Sequence, residues 1–152
     1  MTAQSKLIIA AACALAFAAP AAQAAGDPVH IFVNLGSVAN ERMILPPETT
    51  LRVGHTYQFV VSNPSEETHV VSAPELAANA DTVEIRTDDE LGERAIKGSP
   101  SAAIAKGIPV APGQMLQWTL TPRMAGTFKF GCEEPKHKAS GMTQTVRVVA
   151  GT

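Results

Sequence analysis

The segment GTFKFGCEEPKHKASGM, residues 126–142, reads as a strand ending in a cysteine, a turn-rich loop, and a second strand beginning at a methionine. Side chains alternate across a strand, so Phe128, Phe130 and Cys132 point the same way, and the thiol lies inward if the phenylalanines do. Met142 is in phase with Val146 and Val148 along the strand Met142 to Val149, which aims its thioether inward too. Four residues separate Cys132 from His137, and four separate His137 from Met142. Upstream, NPSEETH (residues 63–69) supplies a second imidazole: Asn63-Pro64 ends one strand, Thr68 to Ser72 begins another, and His69 shares its face with Val71.

Working outward, Val29, Ile31 and Val33 alternate with His30 and Phe32, and Tyr57, Phe59 and Val61 alternate with Thr56, Gln58 and Val60. Leu116, Trp118 and Leu120 repeat the pattern before a turn around Pro122 to Gly126. Each run predicts a strand with one buried face. The stretch Glu75 to Gly107 is more polar and reads as a solvated connection between sheets, with one short helix predicted at Thr87 to Glu90 from its capping-box spacing. Many short strands with Gly and Pro turns predict an all-β fold, an antiparallel β-sandwich with a short helical or loop insertion.

The N-terminus reads as a targeting segment. Lys6 supplies a positive start, Leu7 to Ala18 an apolar run, and Ala22-Gln23-Ala24 a small-residue cleavage site. The run is shorter than the ~20 residues a spanning helix needs. We therefore expect a signal peptide over residues 1–24, a single mature domain over 25–152, and a periplasmic location. Removing Lys6 leaves 11 basic against 14 acidic residues, a net charge of 11 minus 14, or about −3, so nucleic acid is not an expected partner. Cys13 departs with the signal peptide, so Cys132 has no internal disulfide partner. A lone thiol in an oxidising compartment invites oxidation unless it is buried or occupied.

Two imidazoles, a thiolate and a thioether form a donor set suited to copper. Thiolate and thioether favour Cu(I), imidazole accepts both oxidation states, and a trigonal His2Cys site with a weak axial Met is a blue-copper arrangement. Zinc is the rival, but its sites close with Cys, His or carboxylate donors, and a thioether is a poor fourth ligand. His30, His55, Met43, Met115 and Met124 form no cluster by spacing.

With these residues in view, the chain resembles the cupredoxins, the plastocyanin/azurin-like proteins, in the strand into Cys132, the loop through Met142 and the segment Asn63 to His69. The long spacing resembles rusticyanin-like and small exported copper-binding members, and Ala111-Pro112-Gly113-Gln114 before Trp118 is also similar. The resemblance implies a Greek-key sandwich holding one type 1 copper ion. His69 and His137 would be its equatorial imidazoles, Cys132 its equatorial thiolate and Met142 its axial thioether. It further implies one-electron transfer by a monomer between periplasmic redox partners, docking near His137, the ligand closest to a loop surface. Copper storage, delivery or tolerance is the alternative, weakened by the lack of Met-rich or His-rich tracts. No independent catalysis is expected, because no His flanks Cys132 and one domain leaves no interdomain site. Two departures stand out. Val70 follows His69 where many relatives carry a polar residue tying the ligand segments together, and Glu133 and Glu134 place two carboxylates next to Cys132. Lys129, Lys136 and Lys138 surround the same loop and read as a solvated edge, offset by those carboxylates.

Overall fold

Strand alternation builds the two sheets. In chain order the elements of the computed structural model are β1 (Val29–Leu35), β2 (Ile44–Leu45), β3 (Glu48–Arg52), β4 (Tyr57–Ser62), β5 (His69–Ser72), α1 (Pro74–Ala78), β6 (Ala80–Asp89), β7 (Gly92–Ala95), α2 (Pro100–Lys106), β8 (Ile108–Val110), β9 (Met115–Pro122), β10 (Gly126–Cys132), α3 (Pro135–Ala139) and β11 (Thr143–Val149). The structure describes residues 26–89 and 92–151, so the expected signal peptide lies outside the described residues.

One sheet runs β2-β1-β4-β9-β6-β7, and the other β3-β11-β10-β5-β8. Between them, β9 contributes Leu116, Trp118 and Leu120, all fully buried, while Met115, Gln117 and Thr119 on its other face are partly exposed. Phe59 lies 5.8 Å from the ring of Trp118 and 5.8 Å from that of Phe130, so one aromatic column joins the sheets. Burying each of these rings stabilises the fold by roughly 1.5–3 kcal/mol. The expected burial of β1 holds only from its middle onward: Val29 is exposed and Val33 and Leu35 are fully buried.

The sandwich is as expected, and two of its pairings, β1 with β4 and β3 with β11, are parallel. The chain passes through the opposite sheet before returning beside β1, which supplies the long connection a parallel pair requires.

The polar stretch departs from expectation. Thr87, Asp88 and Asp89 lie in β6, Thr87 paired with Arg94 and with Leu116, so this part of the expected helix is strand, and Glu90 lies outside the described residues. Thr82, Val83, Ile85 and Thr87 of this strand are β-branched, and pairing along β9 outweighs a capping box followed only by Gly92. Helices instead form at the two ends of the stretch, each begun by a proline, Pro74 or Pro100, where the missing N–H costs nothing. Leu76 of α1 and Ile104 of α2 are fully buried, so this segment closes the core beside β5 and is more than a solvated link.

Candidate metal centre

Three chain segments end at the same place. His69 is the first residue of β5, paired with Val110; Cys132 is the last of β10, paired with Val71. His137 is carried by α3, which Glu134 caps: its Oε2 accepts from the backbone N–H of Lys136 and of His137, at 2.9 and 3.0 Å. Met142 follows Gly141, whose φ of 77° turns the chain back. The Met142 amide donates to the His137 carbonyl and its carbonyl accepts from Cys132 N–H, both at 3.1 Å.

All four side chains are buried, with His69 at 0%, Cys132 at 1%, His137 at 2% and Met142 at 1% exposure. Nδ1 of His69, Nδ1 of His137 and Sγ of Cys132 converge: the two nitrogens are 3.1 Å apart and the sulfur is 3.5 Å from His137 Nδ1. Among the described residues this is the one grouping of His, Cys, Asp or Glu donors compact enough for a metal. Cys132 is a free thiol, as expected.

The outer edges of the rings decide what the inner edges offer. Asn63 Nδ2 donates to the carbonyls of Glu67 and Val110, at 2.8 and 2.9 Å, which fixes its Oδ1 toward Ser65. Ser65 has one hydroxyl proton, and Asn63 Oδ1 receives it at 2.6 Å. Ser65 Oγ is therefore the acceptor at 2.8 Å from His69 Nε2, which must carry the hydrogen. Across the site, His137 Nε2 donates to Glu67 Oε2 at 2.5 Å, since an ionised carboxylate only accepts. With neutral imidazoles, both Nδ1 atoms then present lone pairs to one another with no proton between them. A cation held by those lone pairs and the thiolate answers that arrangement, so the residues fit a metal. Burial, then the neighbouring His137, pushes His69 below its ordinary pKa against the opposing pull of Glu41, Glu67 and Glu134. That shift keeps His69 neutral and available as a ligand.

The sulfur is restrained as well. Val70 N–H donates to Cys132 Sγ at 3.3 Å, and Val70 C=O accepts from Glu133 N–H at 2.8 Å. The ligand segments are thus tied by backbone atoms, which any residue at position 70 provides.

The charged side chains around the site have partners. Glu133 pairs with Lys138 at 2.6 Å, and Glu134 serves as the helix cap with its Oε2 3.7 Å from His137 Nε2, while the carboxylate hydrogen-bonded to that ring is Glu67, from the other segment. His137, expected to be the ligand closest to a loop surface, is 2% exposed, and Glu67 accepts from its outer nitrogen. Lys129 is exposed, in keeping with a solvated edge, and its ammonium donates to Thr145 Oγ1 at 3.1 Å. Ser65 and Glu67 escaped the sequence reading. The Asn63-Pro64-Ser65 turn was a local signal for Ser65, but nothing local joins Glu67 to a residue 70 positions away.

Residues 33–149 match the model for copper binding proteins of the plastocyanin/azurin family. Among curated protein sequences no match is found. Among solved structures, the chain is similar to dithionite-reduced auracyanin from the photosynthetic bacterium Roseiflexus castenholzii, with 19% identity and a TM-score of 0.50, over 82% of this chain and 99% of that one. It is also similar to a multicopper oxidase from Campylobacter jejuni, a metallo-oxidase, at 13% identity and a TM-score of 0.54, over 85% of this chain and 31% of the oxidase. A laccase from Pediococcus acidilactici shares 13% identity with a TM-score of 0.57, over 81% of this chain and 27% of the laccase. The chain therefore spans about a third or less of these oxidases.

Proposed function

Because the chain belongs to the plastocyanin/azurin family of copper-binding proteins, we propose that it is an exported type 1 copper protein that carries single electrons between redox partners. In this reading residues 1–24 are removed as a signal peptide and residues 25–152 work in the periplasm. The ligands are His69, His137 and Cys132 in the equatorial positions and Met142 as the axial thioether. The observation that carries the proposal is the convergence of the two Nδ1 atoms, 3.1 Å apart, beside a buried thiol. Copper bound there supplies a one-electron Cu(I)/Cu(II) couple.

The protein's own residues supply rigidity. His69 and Cys132 sit at strand ends, and Ser65 and Glu67 hold the outer nitrogens of the two imidazoles. Val70 N–H steadies the sulfur, and Trp118, Phe59 and Phe130 pack the interior beneath. Ligands that cannot rearrange favour a site whose two oxidation states share one geometry, and fast electron exchange follows from that. No described helix is long and apolar enough to cross a membrane.

The test adds Cu(II) to the purified protein and to its Cys132→Ser variant and records visible spectra. An intense thiolate-to-copper band in the parent alone supports the assignment, and a colourless parent overturns it. Electrochemistry then separates carrier from copper handling. Fast, reversible self-exchange is expected of the carrier, and slow redox with ready transfer of the metal to an acceptor would favour delivery.

A further inference from the structure

The carboxylate of Glu67 stands against a ligand ring without being a ligand. Its Oε2 is the hydrogen-bond acceptor of His137 Nε2, and its side chain is 49% exposed while that of His137 is 3% exposed. The loop that carries Glu67 is pinned from behind, since Asn63 Nδ2 donates to the Glu67 carbonyl at 2.8 Å. Glu134 is farther from the same nitrogen, at 3.7 Å, and its oxygen is occupied by capping α3. A negative charge on the far side of a ligating imidazole makes the ring a stronger electron donor, and outer partners of this kind alter metal affinity by about 10–100-fold. A stronger donor favours the oxidised over the reduced ion, because the extra positive charge of Cu(II) benefits most.

We infer that Glu67 is a positioning residue that, through His137, lowers the reduction potential of the bound metal. The inference rests on the copper assignment and adds to it a residue that sets the potential. One electron is exchanged with the outside partner in this couple, and no bond to Glu67 forms or breaks. Gln is nearly isosteric and still offers an oxygen to Nε2–H, so Glu67→Gln removes the charge while keeping the contact. Glu133 is the matched control: it is a neighbouring carboxylate whose side chain pairs with Lys138 and not with an imidazole.

The experiment is spectroelectrochemistry on the copper-loaded mature protein, Glu67→Gln, Glu67→Ala and Glu133→Gln. In Glu67→Gln the preference for Cu(II) over Cu(I) should fall about tenfold, a rise of about 59 mV for a one-electron couple, with the thiolate band retained. Glu67→Ala should shift in the same direction, and Glu133→Gln should stay close to the parent. A parent potential in Glu67→Gln overturns the inference while leaving the copper assignment intact. An equal rise in Glu133→Gln also overturns it, since the effect would then be general surface charge. A parent that develops no thiolate band overturns both.

Discussion

Replacing Ser65 by alanine tests whether the outer hydrogen bonds choose the imidazole nitrogen that faces the metal. Ser65 is 4% exposed and its Oγ is the acceptor for His69 Nε2–H at 2.8 Å, where His69 is 0% exposed. Removing the hydroxyl leaves a buried donor without a partner, at a cost of about 1–3 kcal/mol. His69 has a partial escape. Its hydrogen can move to Nδ1 and be donated to His137 Nδ1, 3.1 Å away, which restores one bond and leaves only a bare acceptor at Nε2. The Ser65 Oγ–Asn63 Oδ1 hydrogen bond at 2.6 Å is lost as well, although Oδ1 keeps the Ser65 N–H, so the metal-free variant should lose about 1–3 kcal/mol, at roughly 4 °C in Tm per kcal/mol for a domain of this size. Metal binding suffers more, because the ion must now displace a hydrogen-bonded proton, and affinity should fall about 10–100-fold. Urea and thermal unfolding of the metal-free protein give the first quantity, and competition with a chromogenic Cu(I) chelator gives the second. A Ser65→Ala protein that binds copper as tightly as the parent would refute the tautomer argument, whatever its stability.

Other outcomes follow from the same packing. Gly107 has φ of 110°, and a Cβ there would lie 2.7 Å from Val70 Cγ1. Gly107→Ala should thus cost about 1–3 kcal/mol in urea unfolding, and adding Val70→Ala should recover the steric part but not the backbone strain; a Gly107→Ala protein as stable as the parent would contradict the crowding. Phe130 is fully buried and stacks on Phe59, so Phe130→Ala should lose about 3–5 kcal/mol, and a loss below about 1 kcal/mol would mean the column repacks freely. The metal-free protein should also weaken on mild acidification. His69 is pushed below its ordinary value, so just under about pH 6.5 the unfolded chain takes up a proton that the fold refuses. Stability from this residue is present above that pH and is lost as pH falls toward the folded value. Chemical unfolding at pH 7.5 and 6.0 should show the loss in the parent and a smaller one in His69→Gln; equal losses would assign the dependence elsewhere.

Much of this protein was legible in local pattern. Alternation placed Phe128, Phe130 and Cys132 on one face, and all three are buried; it placed Met142 with Val146 and Val148, and these are buried too. The misreadings share a cause. Thr87 to Glu90 carries a helix-start spacing, yet β6 is held by hydrogen bonds to β9 that belong to residues some thirty positions away. Val70 read as a lost tether because side chains are what a sequence displays, whereas the tether is the Val70 amide and carbonyl. Glu133 and Glu134 adjoin Cys132 in sequence, yet Glu133 pairs with Lys138 and Glu134 caps α3, so adjacency along the chain does not decide which carboxylate meets a ring.

The donor types and their inward phase are written in the chain, because alternation along a strand is a property of covalent geometry and survives in any context. Which nitrogen of each histidine is left for the metal is a different kind of fact. It depends on Ser65 beneath His69 and on Glu67 against His137, and the second contact joins residues 70 positions apart. Only the packing of β5 against β10 and α3 brings that carboxylate to that ring, and so only the tertiary structure turns two histidines into two aligned lone pairs.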